Sequence, residues 1–219
     1  MIPWEFLAEA KVPGGDLLKL SKRGDEFSIR TEGYELMNSR AHGSEEVLAQ
    51  EGLRRIQAPE DAKILIGGLG MGYTLRAALN AAAETARITV AELVPELVAW
   101  NREYYGHLAQ DPLKDKRVTV FVGDVAEAIE KGPWDAILLD VDNGPDGLTR
   151  SSNTNLYTKA GILRAKNNLT QGGVLGVWSA HDDPAFTLRL KRCNMKVETV
   201  RIKARIKRGS RHTLWFAKA

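Results

Sequence analysis

The chain has 219 residues, of which 43% are hydrophobic and 27% are charged, and its formal net charge is +3. These values are typical of a globular protein, and the mild charge does not by itself require a nucleic-acid or membrane partner. No run approaches the roughly 18 apolar residues of a membrane-spanning helix, and the N-terminal stretch MIPWEFLAEAK is a poor signal peptide. The single cysteine, Cys193, excludes an internal disulfide and fits a reducing compartment. We therefore expect a cytoplasmic protein without a membrane partner.

The N-terminal part of the chain predicts a small β cap followed by a helix. Turn signals at Arg23-Gly24-Asp25 and Glu32-Gly33 separate short runs of mixed polarity, which indicates an antiparallel β element. The following SRAHGSEEVLAQEGLRRI predicts a helix that begins at Ser44. We expect two domains: residues 1–56 form the cap and its connecting helix, and residues 57–219 form the main domain.

The main domain predicts an α/β fold. From residue 63 onward, helical patterns alternate with strand-like runs, namely KILIGG, RITVAEL, RVTVFVGD, DAILLDVD and VLGVWSA. This alternation indicates a Rossmann-like, doubly wound and mostly parallel sheet. Asp183-Pro184 predicts the N-cap and first residue of a late helix. The terminal runs VETVRIKARI and HTLWFAKA lie on either side of the turn KRGSR, so we expect a hairpin that makes the last strand antiparallel.

A glycine-rich turn and two acidic residues predict a nucleoside site. Gly68, Gly70 and Gly72 form G-x-G-x-G where a strand leads into a helix, so the backbone can approach a ligand closely. Glu92 ends the next strand, where a carboxylate can accept hydrogen bonds from ribose hydroxyls. Gly123-Asp124 ends the strand after that. Because such strand ends share one edge of the sheet, we expect these residues to hold one nucleoside.

The fold pattern and these motifs resemble the class I S-adenosylmethionine-dependent methyltransferase fold. Within that fold, the chain resembles spermidine synthases more closely than a generic methyltransferase. It is carried by the N-terminal β segment 11–35 and by four motifs: GGLGMGYTLRAAL, RITVAELVPELVAWNREYY, GPWDAILLDVDNGPDG and NLYTKAGILRAKNNLTQGGVLGVWS. By this resemblance, Glu92 binds ribose and Asp124 the adenine amino group. The family transfers an aminopropyl group from decarboxylated S-adenosylmethionine to an amine such as putrescine, uses no metal and assembles as oligomers. The resemblance thus implies a polyamine-type substrate and a homo-oligomer.

The residues expected at the amine end of the site also resemble those of spermidine synthases, but several of them are changed. Asp140 matches the first acid of the family's Asp-x-x-Asp, and we expect it to bind the acceptor ammonium and take its proton. The second acid is displaced by one position, so Asp142 and Asp146 are candidates for its place. Met71 stands where the family has an acid that grips the donor's amine. Of the family's Tyr-His-Glu, only the last residue is retained, in Ser44-Glu45-Glu46. We therefore include Glu46, together with Tyr157, among the substrate-binding candidates, although a core role for Tyr157 is equally open.

Three other functions stay open. Met71 favours a methyltransferase that uses S-adenosylmethionine itself, and the altered acids also suit a homologue that binds a nucleoside without catalysis. The terminal hairpin has basic residues on alternate positions, namely Arg201, Lys203, Arg205 and Lys207. They could contact phosphates, but they fit better the solvated face of an edge strand, where charged residues discourage aggregation. Nucleic acid is therefore not an expected partner. The four histidines show no paired ligand spacing, and no metal site is predicted.

Overall fold

The computed structural model describes residues 2–56, 60–141, 144–145, 155–203 and 211–218. The N-terminal part forms a four-stranded antiparallel sheet whose strands pair in chain order. They are β1 (Glu5–Lys11), β2 (Leu17–Arg23), β3 (Glu26–Arg30) and β4 (Glu35–Asn38). The predicted β cap is confirmed. It begins earlier than expected, because the N-terminal stretch that was assigned no structure forms the edge strand β1.

Helix α1 (Gly43–Ile56) follows the small sheet, and a second sheet of seven strands forms the centre of the molecule. Its spatial order is β10-β11-β9-β8-β5-β6-β7. The strands are β5 (Lys63–Gly67), β6 (Arg87–Glu92), β7 (Val118–Val122), β8 (Trp134–Leu139), β9 (Leu169–Ser179), β10 (Lys196–Lys203) and β11 (Arg211–Lys218). Strands β5 to β9 are parallel, and β11 pairs antiparallel with both β9 and β10. The mostly parallel sheet with an antiparallel terminal strand is therefore confirmed.

The remaining helices connect the strands of the large sheet. They are α2 (Tyr73–Ala81), α3 (Pro95–Trp100), α4 (Val125–Ile129), α5 (Lys159–Asn167) and α6 (Pro184–Arg192). As the sequence predicts, Asp183 caps α6, and its carboxylate accepts a hydrogen bond from the Phe186 N–H at 2.8 Å. The helix predicted after β6 is shorter than expected. After Trp100 the chain continues as a π-helical turn, Asn101–Tyr105, and then as a 3₁₀ turn, Gly106–Ala109.

Three apolar clusters hold these layers together. Alternate residues of β5 face opposite sides of the large sheet, so Ile64 and Ile66 belong to one cluster and Leu65 to another. The third cluster joins the small sheet to the region around α3 and includes Leu20 and Met71. The small sheet is thereby packed against the glycine-rich loop that follows β5. The division at residues 56 and 57 stays a prediction, and residues 57–59 lie outside the described part of the chain.

None of the helices that the structure describes is both long enough and apolar enough to cross a membrane.

Candidate active site

A cleft opens where the carboxyl ends of β5, β6, β7 and β8 meet, and the small sheet forms its other wall. It encloses an empty volume of about 1250 Å³, open space at its mouth included. All seven residues predicted to bind the nucleoside or to catalyse line it: Gly68, Gly70, Gly72, Glu92, Gly123, Asp124 and Asp140. Side chains from the small sheet, among them Leu18, Leu36 and Met37, line it as well. The parallel sheet explains the convergence, because ligands of such sheets bind at this edge.

Glu92 is fixed at the end of β6 by backbone donors from two loops. Its carboxylate accepts hydrogen bonds from the Leu69 N–H at 3.0 Å and from the Val94 N–H at 2.9 Å. Burial raises the pKa of Glu92, while these backbone bonds act in the opposite direction. A carboxylate has about four acceptor positions, so the anchored group can also accept hydrogen bonds from a ligand in the cleft. This geometry fits recognition of a ribose.

The glycine-rich loop brings its backbone into contact with the strand end that carries Asp140. Gly68 has φ +88°, and a Cβ atom there would collide with the carbonyl oxygen of Asp140. Gly72, at the N-cap of α2, has φ +91°, and a Cβ there would lie 3.0 Å from Pro112. Only glycine adopts such conformations without strain. The loop therefore requires glycine both for its shape and for its close packing.

Asp124 occupies the N-cap of α4 and faces the same cleft. Its carboxylate accepts a hydrogen bond from the Ala126 N–H at 2.9 Å, which fixes the side chain at the end of β7. The carboxylate of Asp124 is therefore held at the distal side of the cleft, three strands away from Asp140.

Asp140 lies at the end of β8, half-buried in the cleft wall. The Thr74 hydroxyl, on the first turn of α2, donates a hydrogen bond of 2.5 Å to its carboxylate. Burial raises the pKa of Asp140 to about 6, and the Thr74 hydrogen bond partly offsets that rise. A carboxyl group with such a pKa can accept a proton near neutral pH.

A second carboxyl group, that of Glu45, faces the cleft beside Asp140. Burial and, to a smaller extent, the negative charge of Asp140 raise the pKa of Glu45 to about 7, while the Ser44 hydroxyl stabilises the ionised form. The sequence analysis selected the neighbouring Glu46 instead, because only that residue matches the family's motif. Consecutive residues of a helix point about 100° apart, so the phase of α1 decides which glutamate faces the cleft. The signal in the sequence that could have identified Glu45 is the spacing of the apolar residues of α1.

The other substrate-binding candidates do not line this cleft within the described part of the chain. Glu46 points to the side, where its carboxylate lies 2.7 Å from His42 Nδ1. Tyr157 is buried and packs edge-to-face on Phe186, and its hydroxyl donates a 3.4 Å hydrogen bond to the Val141 carbonyl. Tyr157 thus supports the segment after Asp140 from the core. Asp142 and Asp146 lie outside the described residues.

Met71 lines the cleft but also belongs to the apolar cluster beneath the small sheet. Only 4% of its surface is exposed. The thioether therefore packs between the two sheets at the position where the resemblance places a donor-binding acid.

Within the described residues, no histidine and no side chain of the terminal hairpin lines the cleft. Arg201 forms an ion pair of 2.7 Å with Asp182, and Arg205, Lys207 and Arg208 lie outside the described residues. In the described ranges, no group of three or more His, Cys, Asp and Glu side chains has the arrangement of a metal site.

Comparison with known proteins finds a curated relative over part of the chain and solved structures over nearly all of it. No protein-family model matches the chain. Polyamine aminopropyltransferase 2 from Caldanaerobacter subterraneus subsp. tengcongensis is 34% identical over 96 residues, which are 42% of this chain and 31% of that protein. The match therefore spans about a third of the length of this curated relative.

Solved structures match over nearly the whole chain. A spermidine synthase in complex with the transition-state analogue AdoDATO superposes with a TM-score of 0.74 at 17% identity, covering 97% of this chain and 71% of the other. The Thermotoga maritima spermidine synthase gives 0.74 at 16% identity, with 97% and 72% covered. A probable spermidine synthase from Corynebacterium glutamicum gives 0.64 at 17% identity, with 97% and 81% covered. The chain therefore has the methyltransferase-like fold of the spermidine synthases, including their small N-terminal sheet.

Proposed function

We propose that this protein transfers an alkyl group, preferably aminopropyl, from a sulfonium nucleoside to a small amine. One observation carries the proposal: residues suited to a nucleoside share a cleft with two half-buried carboxyl groups, Glu45 and Asp140. A cationic amine is the ligand that compensates such a pair of carboxyl groups. The match to a polyamine aminopropyltransferase supports aminopropyl as the group and a polyamine as the acceptor.

The nucleoside end of the donor is assigned to the residues at the first three strand ends. We assign the ribose hydroxyls to Glu92, whose carboxylate is fixed by backbone donors. We assign the adenine amino group to Asp124, which faces the same cleft. The backbone of Gly68, Gly70 and Gly72 follows β5, on the Asp140 side of Glu92, and runs close to the donor.

Amine activation is the chemical task of the acidic end. A free alkylamine is protonated at neutral pH and cannot attack until it loses a proton. Asp140 binds the ammonium and accepts that proton, and the neutral nitrogen then attacks the carbon beside the sulfonium. The new C–N bond forms as the C–S bond breaks, with its electron pair going to sulfur. Holding both reactants in one cleft supplies the alignment that in-line attack needs.

Methyl transfer from S-adenosylmethionine is the second candidate. Met71 favours it, because a thioether gives no charge to pair with the donor's amine. The full methionine end of S-adenosylmethionine carries its own carboxylate and needs no protein acid at that point. Asp140 and Glu45 favour the first candidate, because they supply negative charge that a methyl donor does not require.

Calorimetric titration with decarboxylated S-adenosylmethionine and, separately, with S-adenosylmethionine distinguishes the two. We expect the decarboxylated compound to bind more tightly, and mass spectrometry then to detect aminopropyl transfer to a diamine. Tighter binding of S-adenosylmethionine would favour methyl transfer over aminopropyl transfer as the function of the protein. If neither compound gives a heat of binding, the proposed nucleoside site is refuted. Cytoplasmic location and assembly as a homo-oligomer stay predictions.

A further inference from the structure

The Ser44 hydroxyl connects the acidic end of the cleft to a histidine on the last strand. Its Oγ lies 2.6 Å from Oε2 of Glu45, 2.8 Å from Nδ1 of His212 and 3.0 Å from Nε1 of Trp178. Ser44 is buried at the start of α1, whereas His212 is half-buried near the start of β11. Three elements of the fold, α1, β9 and β11, thus meet at one hydroxyl group.

The number of hydrogens at this junction allows two arrangements. The indole N–H of Trp178 always donates to Ser44, and the hydroxyl has one hydrogen of its own to give. When Glu45 is ionised, Ser44 donates to the carboxylate, and His212 must carry its hydrogen on Nδ1 to donate to Ser44. When Glu45 is protonated, Glu45 donates to Ser44, and Ser44 donates to a bare Nδ1. Going from the second arrangement to the first takes the hydrogen of Glu45 through Ser44 to His212 Nδ1, and the hydrogen on His212 Nε2 leaves to solvent.

We propose that Glu45, Ser44 and His212 form a relay that carries the proton released by the acceptor amine out of the cleft. The proposal rests on the proposed transfer to an amine. Alkylation of an ammonium-bearing acceptor yields a secondary ammonium and one free proton, so each turnover must export one proton. The proton passes from Asp140 to Glu45 and then to Ser44 Oγ, as the Ser44 hydrogen moves to His212 Nδ1 and the ring becomes an imidazolium with a hydrogen on both nitrogens. His212 then gives its Nε2 hydrogen to solvent. Exchange of the remaining Nδ1 hydrogen for one on Nε2 through solvent, with no net gain or loss of protons, and rotation of the Ser44 hydroxyl restore the starting arrangement.

The surroundings of both ends keep the proton at Glu45 before transfer and ease its release from His212, and the step between them is uphill in free energy. Burial and the charge of Asp140 raise the pKa of Glu45, so a proton in the acidic pair stays on Glu45, next to Ser44. Burial and the neighbouring His181 lower the pKa of His212, so the imidazole is neutral at neutral pH and releases a received proton readily. The other titratable groups near Glu45 are His42 and Tyr73.

The tautomer of His212 tests the connection without any substrate. We expect ¹⁵N NMR to show the hydrogen on Nε2 at about pH 6.5 and on Nδ1 at about pH 8.5, because Glu45 loses its proton between them. Glu45→Gln should abolish the switch, and His181→Asn, which changes a neighbour outside the relay, should keep it. A single tautomer throughout this pH range in the unmodified protein would overturn the proposal.

Single-turnover kinetics test whether catalysis uses the relay. His212→Asn keeps a polar atom near Ser44 but cannot carry the proton, so we expect transfer to slow about 10-fold, with partial rescue by added imidazole. Nucleoside binding should change less than about 2-fold, because His212 does not line the cleft among its described residues. His181→Asn should transfer within about 2-fold of the unmodified rate, because burial, the larger cause of the lowered pKa of His212, is retained. An unchanged rate in His212→Asn would refute the relay, whereas failure of the unmodified protein to bind any nucleoside would refute the proposed function.

Discussion

Replacing Glu45 by glutamine should stabilise the protein, and the gain should depend on pH. The pKa of Glu45 is raised from its ordinary value of 4.5 to about 7, so the folded state disfavours the ionised carboxylate. A carboxyl group with a raised pKa contributes most to stability below 4.5, and that contribution is lost as the pH rises through about 7. Glutamine has the same shape, can accept the Ser44 hydrogen bond and has no charge to desolvate.

The size of the effect follows from the same shift. A rise from 4.5 to about 7 corresponds to about 3 kcal/mol at about 1.4 kcal/mol per pH unit. Because Glu45 is only partly buried, we expect a gain of about 2 kcal/mol in the free energy of unfolding at pH 8. At about pH 5 Glu45 is mostly protonated in the folded state, so most of the cost of burying its charge is absent. The gain in the free energy of unfolding from Glu45→Gln should then fall below about 1 kcal/mol.

Urea denaturation of the unmodified protein and of Glu45→Gln at both pH values measures this difference. Glu46→Gln is the matched control, because the neighbouring carboxylate pairs with His42 at the surface and should change stability by less than about 1 kcal/mol at either pH. Equal stability of Glu45→Gln and the unmodified protein at pH 8 would show that Glu45 is not held in a desolvated acidic pair. The interpretation of the cleft as a cation site would then lose its main support.

Two further predictions concern Asp140 and the loop beside it. Asp140→Asn should keep the fold, since the amide oxygen still accepts the hydrogen bond from Thr74, but it should lower the transfer rate by about 10²-fold or more. A steady-state assay with a diamine as acceptor measures this rate. A rate within about 3-fold of that of the unmodified protein would exclude Asp140 as the base. Gly68→Ala should weaken nucleoside binding and destabilise the fold by more than about 2 kcal/mol, because φ is positive and the new Cβ collides with Asp140. Gly14→Ala, at φ +68° with open space around it, provides the control in calorimetry and urea denaturation and should cost only the conformational strain of about 1 kcal/mol.

The sequence predicts the large sheet well, because its strands are continuous apolar runs and its helices alternate with them. It does not predict β1, whose segment EFLAEAK forms an edge strand with mostly exposed or half-exposed residues. The start of β9 was also wrong. The predicted run VLGVWSA begins at Val174, whereas the strand begins at Leu169 and passes through Gly172 and Gly173. The pairing of β8 with β9 shifts register near this point, and Gly172 has φ +82°, so the glycines accommodate an irregular strand.

The residues predicted at the glycine-rich loop and at the ends of β6 and β7 all line the cleft, because strand ends of a parallel sheet meet at one edge, and their binding of a nucleoside stays a prediction. The acidic side was predicted in part. Asp140 follows β8 and obeys the same rule, but Glu45 comes from α1, which approaches the cleft only through tertiary packing. Its partners Ser44 and His212 are far apart in the chain, and no local pattern brings them together. Residues that act through such long-range contacts are the ones that sequence reasoning misses.

Met71 makes donor selectivity inseparable from the docking of the small sheet. Its side chain packs with Leu20 and Val94 in the cluster that joins the two sheets, and it lines the cleft as well. An acid introduced here would place an unpaired charge among apolar side chains, a change that costs several kcal/mol. Evolution or protein engineering that restores an acid at this position would therefore have to rebuild the facing residues of the small sheet together with it. Under the proposed function, the preference for a donor therefore depends on how two parts of the chain fit together.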